Sequence, residues 1–124
     1  MKVRSSRACW KAAATTAGLL AASTAQANYF CQGVVDQIDV SPSGLVTVDS
    51  AAAGLQFQYL CMIGTTTNGV SPDTCKSLLA VLTTAFITQQ QVQWAFSDSL
   101  TCTTHPAWNW LAVWYWGPNL IAGP

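Results

Sequence analysis

Apolar and polar residues alternate with a period of two in several short segments of this chain, and one longer segment between them repeats at intervals of three and four. Over residues 32–40, Val34, Ile38 and Val40 alternate with Gly33, Gln37 and Asp39, which predicts a half-buried first strand. Val35 and Asp36 break that pattern where a bulge would fall. Ser41-Pro42-Ser43-Gly44 has turn chemistry, and residues 45–49 follow with Val46 and Val48 on one face, so the two segments read as a hairpin. Residues 55–63 set Leu55, Phe57, Tyr59, Cys61 and Ile63 against Gln56, Gln58, Leu60 and Met62, a third strand. After a Thr-rich loop, Ser71 is placed to cap a helix that has Pro72 at its first position and Asp73 at the positive end of its dipole. Cys75, Leu78, Leu79, Leu82, Ala85 and Phe86 form its apolar face, and the helix should end near Thr88. A fourth strand covers residues 91–96, with Val92, Trp94 and Phe96 opposite Gln91, Gln93 and Ala95. A polar loop, 97–106, leads to residues 108–116. There Trp108, Trp110, Trp114 and Trp116 share one parity and Leu111, Val113 and Tyr115 the other, so a fifth strand with large side chains on both faces is expected, ended by Gly117-Pro118.

The order is strand, strand, strand, helix, strand, strand. The expected fold is therefore α+β, mainly β with one helix: a five-stranded barrel of the oligonucleotide/oligosaccharide-binding (OB-like) type, whose helix lies between strands three and four. A simple α+β sandwich is the competing architecture.

Composition changes the picture by dividing the chain. Lys2, Arg4, Arg7 and Lys11 stand among the first residues without an acid, a mild apolar run follows, and Ala25-Gln26-Ala27 ends it. These are the three parts of a secretory signal peptide, expected over residues 1–27, and the run is too short to span a bilayer. Residues 28–124 then form a single domain of an exported protein, periplasmic or secreted. In it five aspartates face Lys76 alone, a net charge near −4. Clustered Lys and Arg are what phosphate backbones and anionic lipid heads attract, so nucleic acid and membrane docking are not expected, nor is a transmembrane span. Cys31, Cys61, Cys75 and Cys102 remain, an even number in a short exported chain, which reads as two disulfides. Their spacings of 30, 14 and 27 residues are unlike zinc sites, and no metal or other cofactor is expected.

Three stretches together resemble a known family. The run Val35-Asp36-Gln37-Ile38-Asp39-Val40-Ser41-Pro42, the strand end Leu60-Cys61-Met62, and Cys75-Lys76-Ser77-Leu78-Leu79 leading to Gln91-Val92-Gln93-Trp94 are similar in order to the binding subunits of subtilase-cytotoxin-like and pertussis-like bacterial toxins. The resemblance covers residues 34–96. It implies a small exported barrel that assembles into a pentameric ring and binds sialylated glycans. Two departures stand beside it: only Asn28, Tyr29, Phe30 and Cys31 precede the first strand, where the family carries part of its sugar site, and the Trp-rich end is foreign to it. The fold and glycan binding carry over, but no site residue does. In such a barrel Cys61 would meet Cys75, and Cys31, opening the first strand, would meet Cys102 after the fourth.

The tryptophans are the chain's most unusual chemistry. Aromatic faces stack on sugar rings, and they also dominate cores and interfaces. Trp108, Trp110, Trp114 and Trp116 are thus candidate ligand-binding residues, with core or subunit interface as the plainer reading. Gln56, Gln58, Gln91 and Gln93 are expected on the solvent side of the sheet, where their amides suit hydroxyls. His105, with Asp98 and Ser99 nearby in sequence, lacks the context of an activated nucleophile, and Asp36 and Asp39 fall on opposite faces, so no catalytic residue is assigned. The expected function is a non-enzymatic exported module that binds a glycan or glycoprotein and self-associates as a homo-oligomer. The alternatives are an exported structural or interaction protein assembling through its Trp-rich strand, or a small secreted hydrolase.

Overall fold

The computed structural model describes residues 28–111 and 114–122. The expected signal peptide, residues 1–27, lies outside them. The first strand, β1 (Tyr29–Val34), ends where the pattern breaks. Val35 turns into the core, the Asp36 amide donates to the Asp49 carbonyl at 2.8 Å, and the Asp36 carboxylate accepts from the Ala51 amide at 2.8 Å. What looked like one bulged strand over residues 32–40 is therefore two. The second, β2 (Gln37–Val40), forms a hairpin with β3 (Leu45–Ser50) through the expected turn, with Val40 opposite Val46. A 3₁₀ turn (Ala51–Ala53) leads into β4 (Leu55–Met62), then the helix α1 (Pro72–Thr88), β5 (Gln91–Phe96) and β6 (Trp114–Ile121).

These six strands make two separate antiparallel sheets, β1-β5-β6 and β2-β3-β4, and neither closes. The five-stranded OB-like barrel is thereby corrected to an α+β fold with two open three-stranded sheets. The cause is the break at Val35–Asp36, which carries the chain from one sheet to the other; β1 then pairs with β5 while β2 stays with β3. The barrel was what the likeness to toxin binding subunits required, so that likeness loses its structural ground as well.

The helix follows its sequence signals. The Ser71 hydroxyl accepts from the Thr74 amide at 3.3 Å, Pro72 opens the first turn, and Gln89 ends the helix in left-handed backbone. Cys75, Leu78, Leu82 and Ala85 are buried, while Phe86, assigned to the same face, is exposed. Helix α1 packs against β2 and β4 of one sheet and β5 and β6 of the other, so it bridges them. Between these layers lie Trp94, Phe96, Leu55, Leu60, Leu82 and Leu111, all fully buried.

Two further corrections concern register. A bulge between Leu55 and Gln58 shifts the phase of β4, so that Gln58 is buried and Phe57 points outward. The strand expected over residues 108–116 is displaced: Trp108 has left-handed backbone (φ +54), and regular pairing in β6 begins at Trp114. Gly117-Pro118, expected to end that strand, lies inside it. Gly117 (φ +102) runs so close to β5 that a Cβ there would sit 2.5 Å from the Gln93 carbonyl oxygen.

Two disulfides join Cys31 to Cys102 and Cys61 to Cys75, with Cα separations of 5.5 and 5.7 Å. These are the pairs the barrel order suggested. They form without a barrel because β1 neighbours β5 and because β4 runs toward the first turn of α1 in either architecture.

Candidate binding surface

The four C-terminal tryptophans do not share one strand face. Trp114 is half-buried and meets the core residue Trp94 edge-on, with ring centroids 5.4 Å apart. Trp116 stands on the outer face of the first sheet, 63% exposed. Trp108 and Trp110 belong to a segment that precedes β6 and lies along the free edge of β4. There the Trp108 amide donates to the Gln56 carbonyl (3.2 Å), the Tyr59 amide to the Asn109 carbonyl (2.9 Å), and the Leu111 amide to the Tyr59 carbonyl (2.9 Å).

Side-chain amides fasten this segment at both ends. Gln58 Nε2 donates to the carbonyls of Pro106 (2.8 Å) and Gln56 (3.0 Å). Asn68 Nδ2 donates to those of Leu111 (2.9 Å) and Leu60 (3.2 Å). Leu111 fills the core, which leaves the tryptophans before it directed outward. The ring of Trp108, 61% exposed, stacks on Phe57 at 4.3 Å with 5° between planes, and Trp110 meets Tyr59 edge-on at 5.8 Å.

The backbone beneath this pair is strained. Phe57 (φ +48) and Trp108 (φ +54) are both left-handed, a conformation bulky residues avoid at a cost of about 1–3 kcal/mol each. One aromatic stack returns only about 0.5–1.5 kcal/mol. Stacking alone therefore does not hold them; the bulge in β4 and the two amide clamps do. Strain of this kind, kept by surrounding structure, is characteristic of ligand-contacting positions. The exposed amide residues Gln56 and Asn109 flank the rings, and Asn109 Oδ1 accepts from the Trp110 amide at 2.8 Å. A neutral surface with flat aromatic faces and amide donors can stack on a ring and hydrogen-bond its substituents.

His105 leads into the same segment and is buried. The Tyr29 hydroxyl donates to Asp98 Oδ1 at 2.5 Å and lies 2.9 Å from His105 Nε2. With its one proton turned to Asp98, Tyr29 must accept from His105, so the neutral imidazole carries its hydrogen on Nε2. Nδ1 is buried with no partner. Burial lowers the pKa of His105, opposed by the Asp98 carboxylate 3.8 Å away. Burial, followed by the bond to Asp98, pushes the Tyr29 hydroxyl well above its ordinary value. Phe96 packs on the imidazole at 4.5 Å. The cluster ties the loop 97–106 to β1, and Ser99 does not bond to it. Among the described residues no group of three or more His, Cys, Asp or Glu is arranged for a metal ion.

Sequence periodicity missed Phe57 and Tyr59, which it turned inward, and Gln58, which it turned outward; nothing in the local pattern marks the bulge responsible. No family model, no curated protein and no solved structure matches this chain.

Proposed function

We propose that this chain is an exported, non-enzymatic binding module whose Phe57–Trp108 platform, with Trp110 beside it, stacks on a neutral glycan. The observation that carries this reading is the exposed Trp108 ring held flat on Phe57 by strained, doubly clamped backbone. Sugar rings offer apolar C–H faces to such a platform and hydroxyls to the amides of Gln56 and Asn109. With five aspartates against Lys76 after residue 27, anionic chains are poorly matched. Export is supported by two disulfides in a short chain and by the basic, apolar and small-residue order of residues 1–27. A glycan array probed with the oxidised protein tests the reading. Binding of neutral glycans, insensitive to salt and reduced at least about tenfold by Trp108→Ala, is expected. An array without signal, or equal signal from the variant, would refute it.

A further inference from the structure

The outer face of the first sheet carries a second aromatic arrangement that shares no residue with the Trp108 platform. The register aligns Phe30, Ala95 and Trp116 in one row across β1, β5 and β6, and Gln32, Gln93 and Asn119 in the next. Trp94, Phe96 and Val92 of β5 fill the core, so Ala95 and Gln93 lie on the opposite face. Phe30 is 55% exposed and Trp116 more so, while Ala95 between them is buried. Their strands, β1 and β6, lie two inter-strand spacings apart, about 9–10 Å from backbone to backbone.

This face is built by special backbone. A register shift on either side of Ala95 sets more residues of β6 than of β5 into the same stretch, which turns Trp116 outward, and Gly117 permits the close approach that follows. The amides of the second row are unused. Gln37, Gln58, Asn68, Gln89 and Asn109 all bond inside the fold through their side chains. The backbones of Gln32, Gln93 and Asn119 pair within the sheet, but their side-chain amides make no hydrogen bond among the described residues. No side chain in either row is charged.

We infer that this face is a second carbohydrate surface, taking one extended, neutral polysaccharide chain laid across the three strands. The rings of the polymer stack on Phe30 and Trp116, and its hydroxyls take up the amides of the adjoining row. The match is one of charge and group type. A nucleic acid would ask for Lys and Arg in these rows, and an apolar protein patch would leave three amides without partners on burial. The inference goes beyond the Trp108 platform and shares only its ligand chemistry. A polymer long enough to reach both sites would gain avidity that a short oligosaccharide cannot.

The test is retention of the oxidised full-chain product on insoluble cellulose, chitin and mannan. Wild type, Phe30→Ala, Gln93→Ala, Trp116→Ala and Trp108→Ala are compared, with near-ultraviolet circular dichroism as the check on folding. The expected result is retention of wild type and Trp108→Ala on at least one polymer, and at least about tenfold weaker retention of the Phe30, Gln93 and Trp116 variants. If Trp116→Ala fails to fold, Gln93→Ala and Phe30→Ala decide. Equal retention of folded Gln93→Ala and Phe30→Ala overturns the inference, as does a wild type that no polymer retains. A variant that lowers the solution mass of the protein without changing retention would overturn it too, by showing the face to be a contact between copies. Polymer retention weakened only in Trp108→Ala would leave the platform standing while the sheet face failed.

Discussion

His105 is accommodated as a neutral ring, and one atom shows what its protonation would do. A second proton would go to Nδ1, which is buried and faces no acceptor. The folded pKa therefore lies below the unfolded value of about 6.5, and the unfolded chain takes up the proton first. Stability from this group is complete above about pH 6.5 and is lost as pH falls from there toward the folded pKa. Thermal melts from pH 8 down to pH 5 should show a falling midpoint. His105→Gln, which can still donate to Tyr29 but does not titrate, should flatten that fall; an unchanged slope would assign it elsewhere. Tyr29→Phe removes the hydroxyl that serves both Asp98 and His105, and leaves a buried imidazole donor unpaired. A loss of about 1–3 kcal/mol in denaturant unfolding is expected at neutral pH.

At the scale of elements, the segment before β6 depends on Gln58. Gln58→Leu would retain volume but strip a donor from the carbonyls of Pro106 and Gln56. About 1–3 kcal/mol should be lost, and Trp108 should become mobile by fluorescence anisotropy, whereas Gln56→Ala should change neither. Gly54 (φ +73) is a second fixed point, since a Cβ there would fall 1.2 Å from the Cys102 carbonyl oxygen. Gly54→Ala should cost well over 1 kcal/mol by calorimetry, and a neutral result would mean that the loop yields. The elements differ in how far the sequence discloses them. Helix α1 is legible because Ser71, Pro72 and Asp73 mark its start and its apolar face is local. The β2–β3 hairpin is legible because its turn is four consecutive residues. The division into two sheets is not, because it depends on β1 choosing β5 across more than fifty residues. The phase of β4 is hidden by a bulge that no residue announces, and the start of β6 by large apolar residues on both parities. For the site, the surplus of tryptophan is visible in the sequence; which of these rings are exposed (Trp108, Trp110, Trp116), which is half-buried against Trp94 (Trp114), and that Phe57 and Phe30 face outward are not readable without the register.

For the molecule as a whole, the two sheets share no strand; packing through α1, the bonds of Val34 and Asp36 to the second sheet, the segment 108–111 along β4, and two covalent links hold them together. The disulfides divide that task. Cys61–Cys75 closes a short loop, 14 residues in separation, and ties β4 to the helix. Cys31–Cys102 closes 71 and ties β1 to the loop that leads through His105 into the Trp108 segment. If the links act by restricting the unfolded chain, their contributions follow loop length, about 3 kcal/mol for the first and about 4 for the second. Set against a net stability of about 5–15 kcal/mol for a typical domain, either loss is a large fraction. The paired variants Cys31→Ser/Cys102→Ser and Cys61→Ser/Cys75→Ser separate this effect from local packing. Chain entropy predicts a greater loss for the first pair in denaturant unfolding. Local packing predicts the reverse, because Cys61 and Cys75 are both fully buried whereas Cys102 lies nearer the surface. The first pair carries a further consequence. Its loop anchors the start of the Trp108 segment, so that variant should lose order at Trp108 even under conditions where α1 and β4 remain folded. A variant with weakened stability but an unchanged Trp108 environment would show that Gln58 and Asn68 hold the platform without help from the disulfide.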